Sequence, residues 1–357
     1  MRQLFINLRL ASLAGWVLIS LTAIDVSAAA PRIEIATSAY THPHQLVAID
    51  GARRLNLFCS GGGKPAVLFD SGIGGDSLDW RYVQGAVARF TRACSYDRAG
   101  YGFSDAPTRP SDATDAVDDL HRLAKAAPIV TPFVLVGHSI GGLYATVYAA
   151  TYPRDVAGML LIEPAFAGQA QALANVLSPA HKAEERAGYA RIFAAERHCL
   201  DLARKMELTK PENQSSDCLD TPPDPDPDLH RELNRQTARI GTQAAFLSEW
   251  QSAFSLTDDA ARDSAEAQAA HGDFGAMPLV VLTARNKMLS PGWTRAEVDR
   301  IDAATKAGRD ELAARSTHGS SVFVDNSGHF IQKDQPDIVV HYIWQIVEAA
   351  RQSPKPP

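Results

Sequence analysis

Phe133-Val134-Leu135-Val136-Gly137-His138-Ser139-Ile140-Gly141-Gly142-Leu143-Tyr144 is the stretch on which the reading of this chain turns. Four apolar residues, β-branched at alternate places, run into Gly-His-Ser-Ile-Gly, and an apolar, helix-forming run follows through Ala150. The pattern is strand, G-x-S-x-G, helix. It places one serine hydroxyl at the exposed tip of a sheet, on a sharp turn where flanking side chains would clash. Ser139 is therefore the expected nucleophile. The next N–H, on Ile140, opens a helix, where unpaired backbone donors and the helix dipole favour a developing negative charge.

Working outward, the same alternation of strand and helix patterns covers most of the chain. Strands are expected at His44–Asp50, Arg54–Cys59, Ala66–Asp70, Arg92–Asp97, Phe133–Gly137, Ala157–Glu163, Pro278–Thr283 and Ser321–Asp325. The middle runs, such as Val67-Leu68-Phe69 and Met159-Leu160-Leu161-Ile162, are apolar at every position, as in parallel strands covered on both faces. Helices are expected at Asp112–Ala126, Ile140–Thr151, Thr294–Arg315 and Pro336–Arg351. Asp50-Gly51-Ala52-Arg53 joins the first two strands as a hairpin. Eight strands with helical crossovers make a three-layer α/β domain. The rhythm breaks over 165–276, which is helical, polar and irregular and holds the proline-rich Thr221–Asp228; it reads as a cap inserted after the sixth strand. The core is then 31–164 with 277–357.

The chain has 357 residues, 45 % of them hydrophobic, so it can bury a substantial core. A net charge of −6 and the absence of Lys/Arg runs offer nothing to nucleic acid, and no zinc-type cysteine spacing occurs. Arg2 and Arg9 precede an uncharged stretch from Leu10 to Ile24, and Asp25-Val26-Ser27-Ala28-Ala29-Ala30 follows. That is the pattern of a secretory signal over 1–30, cleaved near Ala28 or Ala30. The apolar part is shorter than the roughly 18 residues that mark a membrane span. Four cysteines in an exported chain suggest two disulfides, with three connectivities open.

Four segments together resemble the α/β-hydrolase family: the elbow Gly137–Gly141, Asp70-Ser71-Gly72-Ile73-Gly74-Gly75, Tyr96–Asp105, and Ser327-Gly328-His329-Phe330. The resemblance spans essentially all of the chain after residue 30. It implies an α/β-hydrolase sandwich of eight mostly parallel strands. His329, on the loop after the last strand, is implied to be the base that activates Ser139. Many relatives carry the acid after the seventh strand, but Lys287 stands there, with Glu297 and Asp299 further on. A second group carries it after the sixth, where Glu163 closes Leu161-Ile162-Glu163. Ser, Glu, His is also the family's chain order. The oxyanion donors would be the N–H groups of Ile73 and Ile140. Asp97 and Arg98 are expected to pair and fix their loop. In this fold the second and fourth strands are antiparallel neighbours, which implies Cys59–Cys94 and leaves Cys199–Cys218 within the cap.

The acid placement and the spacing from Gly72 to Trp80 resemble haloalkane dehalogenases. Those enzymes need an aspartate nucleophile and side-chain donors at the two oxyanion positions; this chain has Ser139 and two isoleucines. A serine nucleophile implies an acyl-enzyme, hence esters, thioesters, lactones or activated amides. The expectation is an exported carboxylesterase-like hydrolase of a small-molecule ester, with acyl transfer, lactone or amide cleavage as rivals within the same apparatus. A ligand-binding protein on the same fold is the rival outside enzymes. No cofactor or metal is implied, and the oligomeric state is left open. Phe246, Trp250 and Phe254 recur at i, i+4, i+8. They form a cap packing face or, with Trp80 and Phe166, the wall of a substrate pocket.

Overall fold

A computed structural model describes residues 33–127, 129–208, 210, 217–219, 225–257, 259–285 and 293–352. The expected leader 1–30, residues 221–224 of the proline-rich stretch and Lys287 lie outside them.

Eight strands form one sheet: β1 Gln45–Ala48, β2 Arg54–Ser60, β3 Val67–Asp70, β4 Ala93–Tyr96, β5 Phe133–His138, β6 Val156–Ile162, β7 Leu279–Ala284 and β8 Gly319–Val324. Their spatial order is β1-β2-β4-β3-β5-β6-β7-β8. β2 is antiparallel to β1 and β4, and every other pairing is parallel. In chain order the helices are α1 Gln84–Val87, α2 Ala113–Ala126, α3 Ile140–Thr151, α4 Gln169–Ala174, α5 Pro179–Arg204, α6 Pro227–Thr237, α7 Ile240–Ala253, α8 Arg262–Ala269, α9 Arg295–Ala314, α10 Ile331–Asp334 and α11 Pro336–Gln352.

The unbroken apolar runs of the central strands follow from burial on both faces. Successive strand side chains point to opposite faces. Phe133 and Leu135 of β5, with Met159 and Leu161 of β6, pack toward α2 and α3. Val134, Val136, Leu160 and Ile162 pack toward α11 on the other face. Truncating one such leucine to alanine costs about 2–5 kcal/mol. α2 starts where the Asp112 side chain accepts from the Asp115 N–H, 2.9 Å, and it buries Val117, Leu120, Leu123 and Ala124 as one stripe. α3 is buried from Ile140 to Ala149 because it lies between the sheet and the inserted segment.

Between β6 and β7 the described elements are helical, α4 to α8 with a short 3₁₀ turn. α8 docks this segment onto the start of α2. Asp263 accepts from the Ala113 N–H and Glu266 from the Thr114 N–H, both 2.8 Å, while Arg262 donates to Asp112, 3.1 Å. These carboxylates satisfy backbone donors that the helix itself leaves unpaired. Asp226 does the same for α6.

Cys59 lies directly opposite Cys94 in the β2–β4 ladder, and the two are disulfide-bonded. Cys199 of α5 is bonded to Cys218, 19 residues on. Closing a loop of that length stabilises by about 3 kcal/mol on the chain-entropy view. The double variant Cys199→Ser/Cys218→Ser should therefore lose about 2–3 kcal/mol in urea unfolding. An unchanged unfolding midpoint would show that packing alone holds the end of α5.

Candidate active site

Parallel strands deliver their C-terminal ends to one edge of the sheet, and Ser139, Glu163 and the His329 loop follow the C-terminal ends of β5, β6 and β8 there. Ser139 leaves β5 with φ 54° and ψ −120°, a conformation side chains rarely adopt. It persists because its backbone is held on three sides. Its N–H donates to Ile162 O, 3.0 Å, and its carbonyl accepts from the N–H groups of Gly142, 3.0 Å, and Ala165, 2.9 Å. The flanking glycines are needed for close approach. A Cβ at Gly137 would lie 2.4 Å from Gly141 O, and one at Gly141 would lie 2.4 Å from Ser71 O. Ile140, the first residue of α3, is buried at the helix N-terminus, and its N–H has no partner within the helix.

Glu163 follows β6 at φ 46° and is 5 % exposed. Its Oε2 lies 3.5 Å from Nδ1 of His329, and Arg309 Nη2 donates to it at 3.1 Å. Its Oε1 accepts from the Ala284 N–H, 2.6 Å, and from Arg309 Nη1, 2.7 Å. Burial alone would raise this carboxyl. The His329 contact, the Arg309 guanidinium and the Ala284 amide outweigh burial and bring it down to about 2. The glutamate is thus ionised at neutral pH and aimed at one imidazole nitrogen.

His329 is half-exposed, on a loop shaped by Asp334, which accepts from the Gly328 N–H, 2.8 Å, and the Ser327 hydroxyl, 3.1 Å. Its backbone carbonyl is 2.9 Å from Nε2 of His138, the residue before the serine. A carbonyl can only accept, so His138 Nε2 carries the proton. Burial, reinforced by nearby His329, pushes the His138 ring down to about 4. His138 is therefore a neutral brace between the elbow and the His329 loop. Among the described residues the Ser139 hydroxyl makes no hydrogen bond.

Residues 67–341 match the family described as the alpha/beta hydrolase family. The chain belongs to that family. YqjL, an uncharacterized protein of Bacillus subtilis, is 28 % identical over 138 residues, covering 39 % of this chain and 54 % of that one, so the chain spans about half of its length. Two solved structures are similar in fold. One is a thermophilic esterase from Thermogutta terrifontis: 16 % identity, TM-score 0.53, 87 % of this chain and 99 % of that one. The other is the haloalkane dehalogenase DatA from Agrobacterium tumefaciens: 17 % identity, TM-score 0.57, 86 % and 96 % covered. At such identities these likenesses speak to the fold alone.

Within this α/β hydrolase the pocket-wall reading of Trp80 and Phe166 and the pairing of Asp97 with Arg98 need correction. Trp80 has no exposed surface. It packs on Phe69 and donates Nε1–H to the Ser71 hydroxyl, 2.9 Å, so it braces the β3 loop rather than lining a pocket. Phe166 is buried against Gly308 of α9, where a Cβ would lie 2.1 Å from its ring. Phe246 covers Gly74, and Trp250 stacks on Phe254, which stacks on Tyr189 of α5. Arg98 does not pair with Asp97. It pairs with Asp70 and Glu249, while Asp97 accepts from Asn56, the Ser77 N–H and the Phe103 N–H. Of the rival acids, Glu297 caps α9 and contacts His181, and Asp299 pairs with Arg295.

Sequence reasoning missed Arg309, His138 and Glu249. The one available signal was a charge on an apolar stripe: Arg309 falls among Val298, Thr305 and Leu312 on the buried face of α9. The Glu163 carboxyl sits near 2 when folded, against an ordinary 4.5. It therefore adds stability that is complete above about pH 4.5 and is lost as pH falls through about 2. Unfolding free energies of the protein and of Glu163→Gln should converge across that window. A constant gap from pH 6 to pH 2 would contradict the assigned ionisation.

Proposed function

We propose that the protein is an exported serine hydrolase that cleaves a small-molecule carboxylic ester through an acyl-enzyme. The observation that carries this reading is the buried, ionised Glu163 against Nδ1 of His329, beside a serine held at a strained strand–helix turn. A carboxylate on Nδ1 selects the tautomer with its proton there and leaves Nε2 free to act as base.

In the proposed cycle Nε2 of His329 takes the Ser139 hydroxyl proton as Oγ attacks the acyl carbon. Negative charge moves to the former carbonyl oxygen, where the N–H groups of Ile73 and Ile140 receive it. Glu163 stabilises the imidazolium without taking its proton. His329 then gives that proton to the leaving alcohol. Water, deprotonated by the same nitrogen, attacks the acyl-enzyme, and Ser139 is restored. A serine in this role argues against dehalogenation or epoxide opening, for which an aspartate would be the nucleophile. Export is supported by the charged-apolar-small pattern of 1–30 and by two disulfides, bonds that persist in oxidising compartments.

Assay against 4-nitrophenyl esters of graded acyl length should show hydrolysis by the native protein and, for Ser139→Ala, a loss on the order of 10⁶-fold with the fold intact. Retention of more than a few per cent of turnover would remove Ser139 from the role of nucleophile. A fluorophosphonate probe should label Ser139 and no other serine.

Glu163→Gln should lower turnover by about 10⁴-fold, the effect of presenting the wrong imidazole tautomer. A larger loss at Asp299 than at Glu163 would move the acid elsewhere.

A further inference from the structure

We propose that Arg98 and the cap residue Glu249 are a positioning pair for the oxyanion hole: together they fix the direction of the Ile73 N–H, so the hole is aligned only while α7 is docked. The inference rests on the reading of Ile73 as an oxyanion donor.

The argument begins with one peptide unit. The Gly72 carbonyl and the Ile73 N–H belong to the same planar trans peptide, so they point in opposite directions. Whatever holds that carbonyl aims that N–H. Arg98 Nη2 donates to Gly72 O at 2.5 Å, where the Gly75 N–H also donates at 3.1 Å, and Nη1 donates to Ser71 O at 2.7 Å and to Asp70 Oδ1 at 2.6 Å. These bonds carry a full charge, which makes them shorter and stronger than neutral ones. Pulling on the carbonyl also polarises the peptide and strengthens its N–H as a donor.

The next peptide is held from the other side. Glu249 Oε2 accepts from the Gly74 N–H, 3.1 Å, and from the Tyr101 hydroxyl, 2.7 Å, while Oε1 accepts from Arg98 Nε, 2.9 Å. Ile73 thus sits between a carbonyl anchored by Arg98 and an amide anchored by Glu249. Arg98 is 6 % exposed and Glu249 1 %, so water competes little for these bonds. Burial by itself disfavours the Arg98 charge, but Glu249 and Asp70 hold it ionised well above its ordinary range. Glu249 comes from α7, 151 residues after Arg98. One turn earlier on α7, Phe246 covers Gly74 so closely that a Cβ there would lie 2.5 Å from its ring. The cap therefore grips the loop at two points.

A merely structural ion pair would change stability and substrate affinity. A positioning pair changes the chemical step. The test uses the full-length, disulfide-intact protein, 4-nitrophenyl acetate, and a boronic acid that forms a tetrahedral adduct on Ser139. Arg98→Lys should lower kcat by about 10–100-fold, short of the 10²–10³ for losing an oxyanion donor outright, with KM within about threefold. Glu249→Gln keeps an acceptor for Gly74 and should lose less than Glu249→Ala. Boronate affinity should fall in step with kcat/KM across all three. Folded variants with native kcat, or losses confined to KM, would overturn the proposal. If Arg98→Lys does not fold, the isosteric Glu249→Gln decides alone. Absence of fluorophosphonate labelling and hydrolysis in the native protein would remove the ester-cleavage reading and this inference with it. A labelled, active native protein with an unimpaired Glu249→Gln would remove only the positioning role.

Discussion

The backbone of Ser139 is the constraint around which the rest is arranged. A non-glycine residue at φ 54° is unfavourable by itself and survives only where its surroundings leave no alternative. Here the surroundings are the end of β6, the loop after β3 and the first turn of α3, which approach so closely that Gly137 and Gly141 admit no side chain. One turn therefore fixes three things at once. It sets the hydroxyl at the edge of the sheet, puts the Ile140 N–H at the start of α3 beside it, and places His138 beneath the His329 loop.

The second organising feature is buried charge. Glu163 with Arg309, and Asp70 with Arg98 and Glu249, are ion pairs at the C-terminal edge of the sheet with almost no exposure. Such pairs are weak stabilisers, because desolvation cancels much of the attraction, yet losing one partner costs about 3–5 kcal/mol. What they supply is registry. Arg309 brings α9 against the end of β6, and Glu249 brings α7 against the loop after β3. Two carboxylates converge on Arg98, and burial pushes Asp70 up against the pull of that guanidinium.

The layered sheet was readable because its determinants are local. Each central strand is an apolar run bounded by turns, and α2 and α9 start at capping side chains; all eight strands and four core helices lie within a few residues of expectation. The elbow was readable for the same reason, since Gly137 to Gly141 is one continuous motif. The placing of Cys59 opposite Cys94 needed the order of strands as well, which came from the likeness to a fold family. For Trp80 and Phe166 the sequence left packing and pocket both open, because an aromatic residue near a site looks the same in sequence whether it faces the cavity or the core.

By itself, then, the sequence determined a three-layer α/β domain, an inserted helical segment, the turn bearing Ser139, and a short set of carboxylates that could serve His329. Only the tertiary structure decided which of these meet. It set Glu163 against His329 and Arg309, gave Arg98 to Asp70 and Glu249 instead of its neighbour Asp97, and turned His138 into a brace. The reason is one of range. Periodicity and turn chemistry act over a few residues, whereas Glu163 reaches Arg309 across 146 positions and Arg98 reaches Glu249 across 151. Contacts of that separation are chosen by how packed elements close on one another, and no local pattern in the chain records the choice.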